Sequence, residues 1–493
     1  MYSVNQMNLN NSLGLKDLLK VEDDIAILNY KCSETGLYLW PQVRTVFLRM
    51  ILSDLLYGSA LVGVSNGNIP SRKAVQYLAR SLSHNTWMRA TDKFQADVCI
   101  MAEGIGNQLV DDVWFNRLSD YFVSACPSRS LVVEDHHNWN WAWPRHADRV
   151  LFHAPLQTYN AISTRLLTRK QHVQQAEGLV NLVCRRAKEH LGWEAGSCRQ
   201  QQLTLMLARK TAVLPHQYRR YITMLKHIAP KVLMINAACY GPSSALIVAA
   251  KEMGIVTAEY QHGAVSSGHD GYNIACCLRM DSDYRATLPD YFLSYGTWWG
   301  EQINLPVTKL SIGNPHRDAK LSKLPRQNIN KNVVLLLGDG IETEKYLDLS
   351  RQVAKGLVGK GLRVLFRPHP MERTQAEAFH KQGADGVELD IQPDIYQSLA
   401  VAHVVVSELS TGLFEAIGLT DNIFMWNSLK AQFCFPDHPF NSFSSADELI
   451  EILKHDKIAN ESVQNPDIYW EPNWQNNFIV FLKSIGIEVD SVS

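Results

Sequence analysis

Short, nearly uninterrupted apolar runs alternate with segments of helical spacing along most of this chain. KVLMINAACYGPSSALIVAAKEMGIVTAEYQHG, from Lys231 to Gly263, shows the pattern in one stretch. A strand over Val232 to Ile235 meets a small-residue turn, and a helix over Ser243 to Met253 follows. A second strand from Ile255 to Tyr260 ends on Gln261-His262-Gly263. That is a β-α-β unit, whose right-handed crossover joins parallel strands. Upstream, ADVCIMAEG (Ala96 to Gly104), SLVVED (Ser130 to Asp135) and RVLFHAP (Arg149 to Pro155) read as strands. LYLWPQVRTVFLRMILSDLLYG (Leu37 to Gly58) predicts one long helix, and the polar section from about Ser163 to Arg220 is helical. PDYFLSYGTWWGEQI and LSIGNPH carry the alternation to about Pro315.

The polar stretch RDAKLSKLPRQNINKN (Arg317 to Asn332) reads as a linker. A second alternation follows: NVVLLLG, a helix from about Glu342 to Val358, RVLFRPHP, a helix around Ala376 to Lys381, VELD, a short helix near Ile395, HVVVSE, and the helix FEAIG. Strands rich in Val, Leu and Ile and bounded by helices are buried on both faces, which requires a parallel sheet. The expected fold class is α/β, with two tandem Rossmann-like domains and a C-terminal helical segment. Residues 1–315 form the first domain, 316–332 the linker, 333–440 the second domain and 441–493 the helical segment.

Composition narrows the function classes. Lys+Arg (48) balances Asp+Glu (49) in 493 residues, so no global basic field favours nucleic acid, although a local patch remains open. No apolar run approaches a membrane span, and the first twenty residues lack a basic segment followed by an apolar one. The nine cysteines contain no C-x-x-C, which argues against a disulfide framework or a zinc site. The expected location is the cytoplasm, with peripheral contact at the inner face of the cytoplasmic membrane left open. No cofactor and no metal is called for.

The candidate chemistry sits at strand ends, where open parallel sheets bind ligands. In the second domain these are Gly338-Asp339-Gly340, then Arg367-Pro368-His369-Pro370, then Ser407 through Gly412. Ser410, Thr411 and Gly412 also open a helix, whose free N–H groups favour an anion. Arg367 and His369 would add donors from the neighbouring strand, in a direction fixed by the prolines. Each signal alone has a plain structural explanation: Ser410 as a helix cap, the others as turns. Their joint placement favours a phosphate clamp.

Tandem α/β domains carrying QHG, then R-P-H-P, then S-x-x-S-T-G-x-x-E-A resemble the GT-B glycosyltransferases of bacterial surface polysaccharide synthesis. The similarity extends to Kdo-transferase-like and sialyltransferase-like groups and, in part, to polymer glycerophosphotransferases. EYQHGAVSSGHDGY with PDYFLSYGTWW, and the early LYLWPQVR, are similar to capsule-type members. The resemblance implies a nucleotide-sugar donor, CMP-linked in the His-Pro groups, held by the second domain at His369, Pro370, Ser410 and Thr411. Glu415 would hold the ribose. It also implies a glycan or lipid-linked glycan acceptor on the first domain. The acidic-acidic-Gly motif expected there is missing, so the base is sought among Glu259 and His262 of EYQHG and Asp135 of VVEDHHNW, with Glu134 and His136 beside it. A CDP-polyol glycerophosphotransferase is the first alternative. A UDP-sugar 2-epimerase of similar fold, whose several acids facing the donor sugar are not placed, is the next, and a catalytically silent scaffold of polysaccharide assembly is the alternative from another class. Asp281-Ser282-Asp283 lies in a polar loop, the spacing in EDHHNWNW fits no zinc pattern, and no phosphate-binding P-loop is present.

Overall fold

The structure, a computed structural model, describes residues 13–57, 71–91, 94–324, 331–370, 372–381, 383, 385–455 and 465–489. Its core is two parallel sheets. The first contains β1 (Val98–Glu103), β4 (Ser130–Asp135), β5 (Val150–Phe152), β6 (Val232–Ile235), β7 (Val256–Tyr260), β8 (Tyr291–Ser294) and β9 (Thr308–Ser311). The antiparallel hairpin of β2 (Asn107–Val110) and β3 (Val113–Asn116) stands apart from it. Strand order is β5-β4-β1-β6-β7-β8-β9, so the chain winds outward from β1, returns, and winds the other way from β6.

The second sheet has the same plan. It is built from β10 (Val333–Leu337), β11 (Arg363–Arg367), β12 (Val387–Leu389), β13 (Ala402–Ser407), β14 (Asn422–Trp426) and β15 (Asn441–Phe443), in the order β12-β11-β10-β13-β14-β15. Its central strand, Val333 to Leu337, is buried at every position, as its unbroken apolar sequence requires. The two-domain α/β class is thus the one found. The strands NIFMW and NSF add two members that the sequence pattern did not single out.

Three segments differ from expectation. The long helix predicted from Leu37 is broken into a 3₁₀ turn at Trp40–Gln42, an α-helix over Arg44–Leu52 and a π turn at Ser53–Tyr57; Gly58 lies outside the described residues. Pro41 has no N–H to continue a helix from upstream. Arg44 is drawn inward to a buried ion pair with Glu22, with Nε to Oε2 at 2.7 Å, and donates to the carbonyls of Asp270 and Asn273. LYLWPQVR therefore ties the start of the chain to the loop after QHG.

The polar stretch expected as a linker begins instead as a helix, Pro315–Leu321, in which Arg317 is buried. Its guanidinium donates to the Ile417 carbonyl at 2.5 Å and lies over the Trp470 ring. The C-terminal region is helical over Ala446–Lys454 and Trp474–Ser484, but β15 precedes them. The last helix crosses back to the first sheet, where Phe478, Phe481 and Leu482 join Phe122, Tyr260 and Leu293 in one core. That return clamps the two sheets with their carboxyl edges facing a common cleft.

Candidate active-site cleft

The cleft leaves a cavity of about 100 Å³ and draws on both sheets. Gln261, His262, Tyr295 and His316 come from the ends of β7, β8 and β9, and Arg117 from the segment after the hairpin. Thr411, Phe414 and Glu415 face them from the second domain.

Local hydrogen bonds explain why QHG holds this shape. Gln261 accepts from the Tyr295 N–H at 2.8 Å and donates to the Gly263 carbonyl at 2.8 Å, which fixes the turn and leaves His262 lining the cleft. His262 Nδ1 is buried without a hydrogen-bond partner among the described residues, 3.8 Å from Glu259 Oε1. Burial pushes this imidazole down to about 4, with nearby His269, Arg49 and Arg117 acting in the same direction. Glu259 is fully buried, and burial raises its carboxyl to about 7. It accepts from the Cys239 N–H at 2.7 Å and the Tyr272 hydroxyl at 2.6 Å. At neutral pH the His262 ring is uncharged, and its burial opposes the charged form.

Two residues of this wall had not been singled out in the sequence. His316 follows Asn314, whose side chain caps the helix at Pro315, and burial lowers its ring to about 4. Its Nδ1 is 3.2 Å from the Tyr121 hydroxyl. Arg117 is exposed and forms no ion pair with a carboxylate among the described residues, yet it acts electrostatically on His262, His316 and Glu415. The strand-then-GNPH pattern was a readable signal for His316; nothing in WFNRLSD marks Arg117.

The second edge holds the predicted clamp residues together but leaves few of them free. Arg367 is the main correction: its guanidinium is 2.9 Å from Asp390 Oδ2 and 3.1 Å from Ser398 Oγ, so it is consumed in a buried pair and not aimed at a ligand. Glu372 accepts from the His369 N–H at 2.6 Å and the Thr343 hydroxyl at 2.6 Å. A side chain at Gly338 would come within 1.9 Å of that carboxylate, so this glycine makes room for Glu372. Gly340, at φ +81, packs under His369, whose ring is lowered by burial. Asp339 Oδ1 caps Ile341 at 2.8 Å. Pro370 is exposed.

Ser407 is buried and donates to the Leu337 carbonyl at 2.7 Å. Ser410 Oγ accepts from the Gly412 N–H at 3.2 Å, and Gly412 is pressed against Leu337. The helix expected to present an anion site at Ser410 is only four residues long, Gly412–Glu415. Gly418, at φ +82, soon turns the chain into β14, so no extended dipole forms. Of this group, Thr411 and Glu415 reach the cleft. Glu415 is raised by burial, partly offset by Arg317, and accepts from the Tyr396 hydroxyl. A further cluster had no sequence signal: Lys430 lies between Glu342 and Glu408, 2.9 Å from the latter, with Ser428 also on Glu408.

Asp135 stands elsewhere. At the end of β4 it is 2.5 Å from His153 Nδ1, three strand spacings from β7 and so roughly 14 Å from the His262 side of the cleft. Glu134 is buried with Arg145 and Asp120 as a structural ion cluster, and His136 stacks on Trp139 at 3.8 Å.

No family model and no curated protein matches the chain. Solved structures do, at low identity. UDP-GlcNAc 2-epimerase from Neisseria meningitidis bound to UDP-GlcNAc is 11% identical, with 78% of this chain and 99% of that one covered at a TM-score of 0.45. For UDP-GlcNAc 2-epimerase from Methanocaldococcus jannaschii the values are 11%, 79%, 99% and 0.43. For the calicheamicin glycosyltransferase CalG4 they are 12%, 80%, 95% and 0.41. These scores add nothing to what the two sheets already display. Two Rossmann-like bodies facing across a cleft make this a GT-B-type fold.

Proposed function

We propose that the chain is a glycosyltransferase that moves a sugar from a nucleotide donor to a glycan or lipid-linked glycan of capsule or lipopolysaccharide type. The observation that carries this reading is the pairing, in one interdomain cleft, of a neutral imidazole with a buried unpartnered nitrogen and a cation without a carboxylate partner, both among the described residues. His262 is the base that takes the acceptor hydroxyl proton, and Glu259 stabilises the imidazolium as it forms. Arg117 offsets the charge that develops on the departing phosphate, where a preorganised donor matters most. Thr411 and Glu415 hold the donor from the second domain, with Glu415 accepting from ribose hydroxyls. The His369-Pro370 tip favours a CMP-linked donor. Closure over the donor would exclude water that otherwise hydrolyses it.

A thermal-shift panel of CMP, CDP, UDP and GDP on wild type and Arg117→Ala tests the reading. A ligand at a hundred times its dissociation constant adds about 2.7 kcal/mol of stability. One nucleoside phosphate should stabilise the wild type selectively and lose most of that effect in the variant. Selective CDP binding with turnover of a CDP-polyol would favour the glycerophosphotransferase. Silence toward every nucleotide, from folded protein, would sink the transferase reading and favour the scaffold.

A further inference from the structure

We propose that the outer face of helices Ser71–Arg89 and Ala154–Leu167 is a docking surface for an anionic lipid bilayer. The surface is independent of the glycosyl-transfer reading, since neither helix lines the cleft. The first helix runs along the free edge of β5. His84 Nε2 is 2.9 Å from the Val150 carbonyl, and Asn85 exchanges hydrogen bonds of 2.8 and 2.9 Å with the Phe152 backbone. With Tyr77 and Met88 buried on the same side, these contacts fix which face looks outward. They also cover a sheet edge that would otherwise expose unpaired backbone groups.

The outward face is mixed, with apolar side chains set among Arg72, Lys73, Gln76, Arg80, Ser83 and Thr86. Val75, Ala79 and Leu82 follow at spacings of four and three, a single stripe, and all are exposed. Trp87 is exposed at its flank. On the second helix Tyr159, Ile162 and Leu166 repeat the spacing, with Leu166 79% exposed. The two helices touch one another. Exposed large apolar side chains grouped on two touching helices are the kind of feature that marks an interaction surface.

Charge selects the occupant. The first helix carries Arg72, Lys73, Arg80 and Arg89 with no Asp or Glu; the second carries Arg165 with no acid, and Arg169 and Lys170 follow directly. The neighbouring helix Ser197–Ile228 also contains no acid. Arg72, Lys73, Arg80, Arg169 and Lys170 are exposed, and none pairs with a carboxylate among the described residues. This concentration occurs in a chain whose net charge is only -1. A second copy would set like charges face to face. Nucleic acid would use the cations but not Val75, Leu82, Ile162 and Leu166. An anionic bilayer uses both, taking the apolar side chains into the headgroup boundary and the cations at the surface. Trp87 suits that boundary, where aromatic rings concentrate. The exposed Leu109 and Val110 of the hairpin are a built-in contrast, because Asp111 and Asp112 at its tip repel such a surface.

Vesicle flotation with the full chain tests this, using phosphatidylcholine alone or mixed with phosphatidylglycerol. The protein should float only with the anionic vesicles and be released by high salt. Leu82→Ser with Ile162→Ser and Leu166→Ser should lower partitioning about tenfold or more. Arg72→Glu with Lys73→Glu and Arg80→Glu should do the same. Leu109→Ser with Val110→Ser should leave it unchanged, and circular dichroism melts check that each variant folds. No binding at low salt, or equal loss in the hairpin variant, overturns the proposal. So does a dimer that the apolar substitutions convert to monomer without affecting lipid binding, which would make the face a self-interface. Polynucleotide binding that exceeds vesicle binding and survives the apolar substitutions also overturns it.

Discussion

The two carboxyl edges that face the cleft use their polar residues in opposite ways. On the second sheet most candidates are satisfied by a neighbour: Arg367 by Asp390, Glu372 by His369 and Thr343, Ser407 by Leu337, Lys430 by two glutamates. Asp339 Oδ2 is the exception, buried without a hydrogen-bond partner among the described residues. On the first-domain side, His262 keeps a buried ring nitrogen without a partner and Arg117 lacks a carboxylate among the described residues. The motif-rich edge is therefore the more self-satisfied one, and the edge with weaker motifs keeps His262 and Arg117 for the cleft. A self-satisfied polar network fixes a loop's shape, whereas an unsatisfied group awaits a ligand.

Arg367→Met should show the contrast most strongly. It leaves Asp390, 2% exposed, as an unpaired buried carboxylate, at an expected cost of about 3–5 kcal/mol in urea unfolding. A stability change below about 1 kcal/mol with collapsed nucleotide affinity would make Arg367 a ligand-binding residue and reverse the comparison.

Glu259 sets the next effect through pH. Its folded carboxyl titrates near 7, above its ordinary value of 4.5, so the folded state holds the proton more tightly between those values. Stability should thus fall as pH rises from 4.5 to 7, by about 3 kcal/mol for a shift of that size. Glu259→Gln should flatten that slope in melts across the window. His262, His269 and His316 act with the opposite sign: each is pushed down to about 4 by burial, so stability drops as pH falls from 6.5 toward 4. A wild-type profile without the acid-side loss would mean that these rings are more hydrated than their burial implies.

Lys430→Met should cost less, about 2 kcal/mol, because Glu342 retains Lys345 and Glu408 retains Ser428. Chemical denaturation that matches the Arg367→Met loss would show that the second edge is coupled as one network. The smallest stability effect belongs to Arg117→Ala, within about 0.5 kcal/mol, since its exposed side chain has no carboxylate partner among the described residues to abandon. Its loss should appear instead in nucleotide affinity, and an unchanged affinity would remove Arg117 from the site.

Much of the fold was legible in local pattern. Runs such as VVLLL and VLMI, buried on both faces, announce parallel strands, and Gly338 and Ser407 were placed correctly at the ends of the adjacent strands β10 and β13. The roles of individual side chains were less so. Arg367 looked like a phosphate ligand because Asp390, which takes it, lies on a different strand connection 23 residues away. The break near Pro41 and the burial of Arg44 likewise depend on Glu22 and the loop at Asp270.

The sequence by itself determined the alternation of strands and helices, the two-sheet class, and the turn residues that end each strand, because these follow from neighbours within a few positions. Tertiary structure alone decided which charges are spent and which remain free. It brought Arg117 and His316 beside His262, and it turned the acid-free faces of two helices outward together. Pairing of charges is a property of distance in space, and residues far apart in the chain come within hydrogen-bond reach only once both sheets are packed.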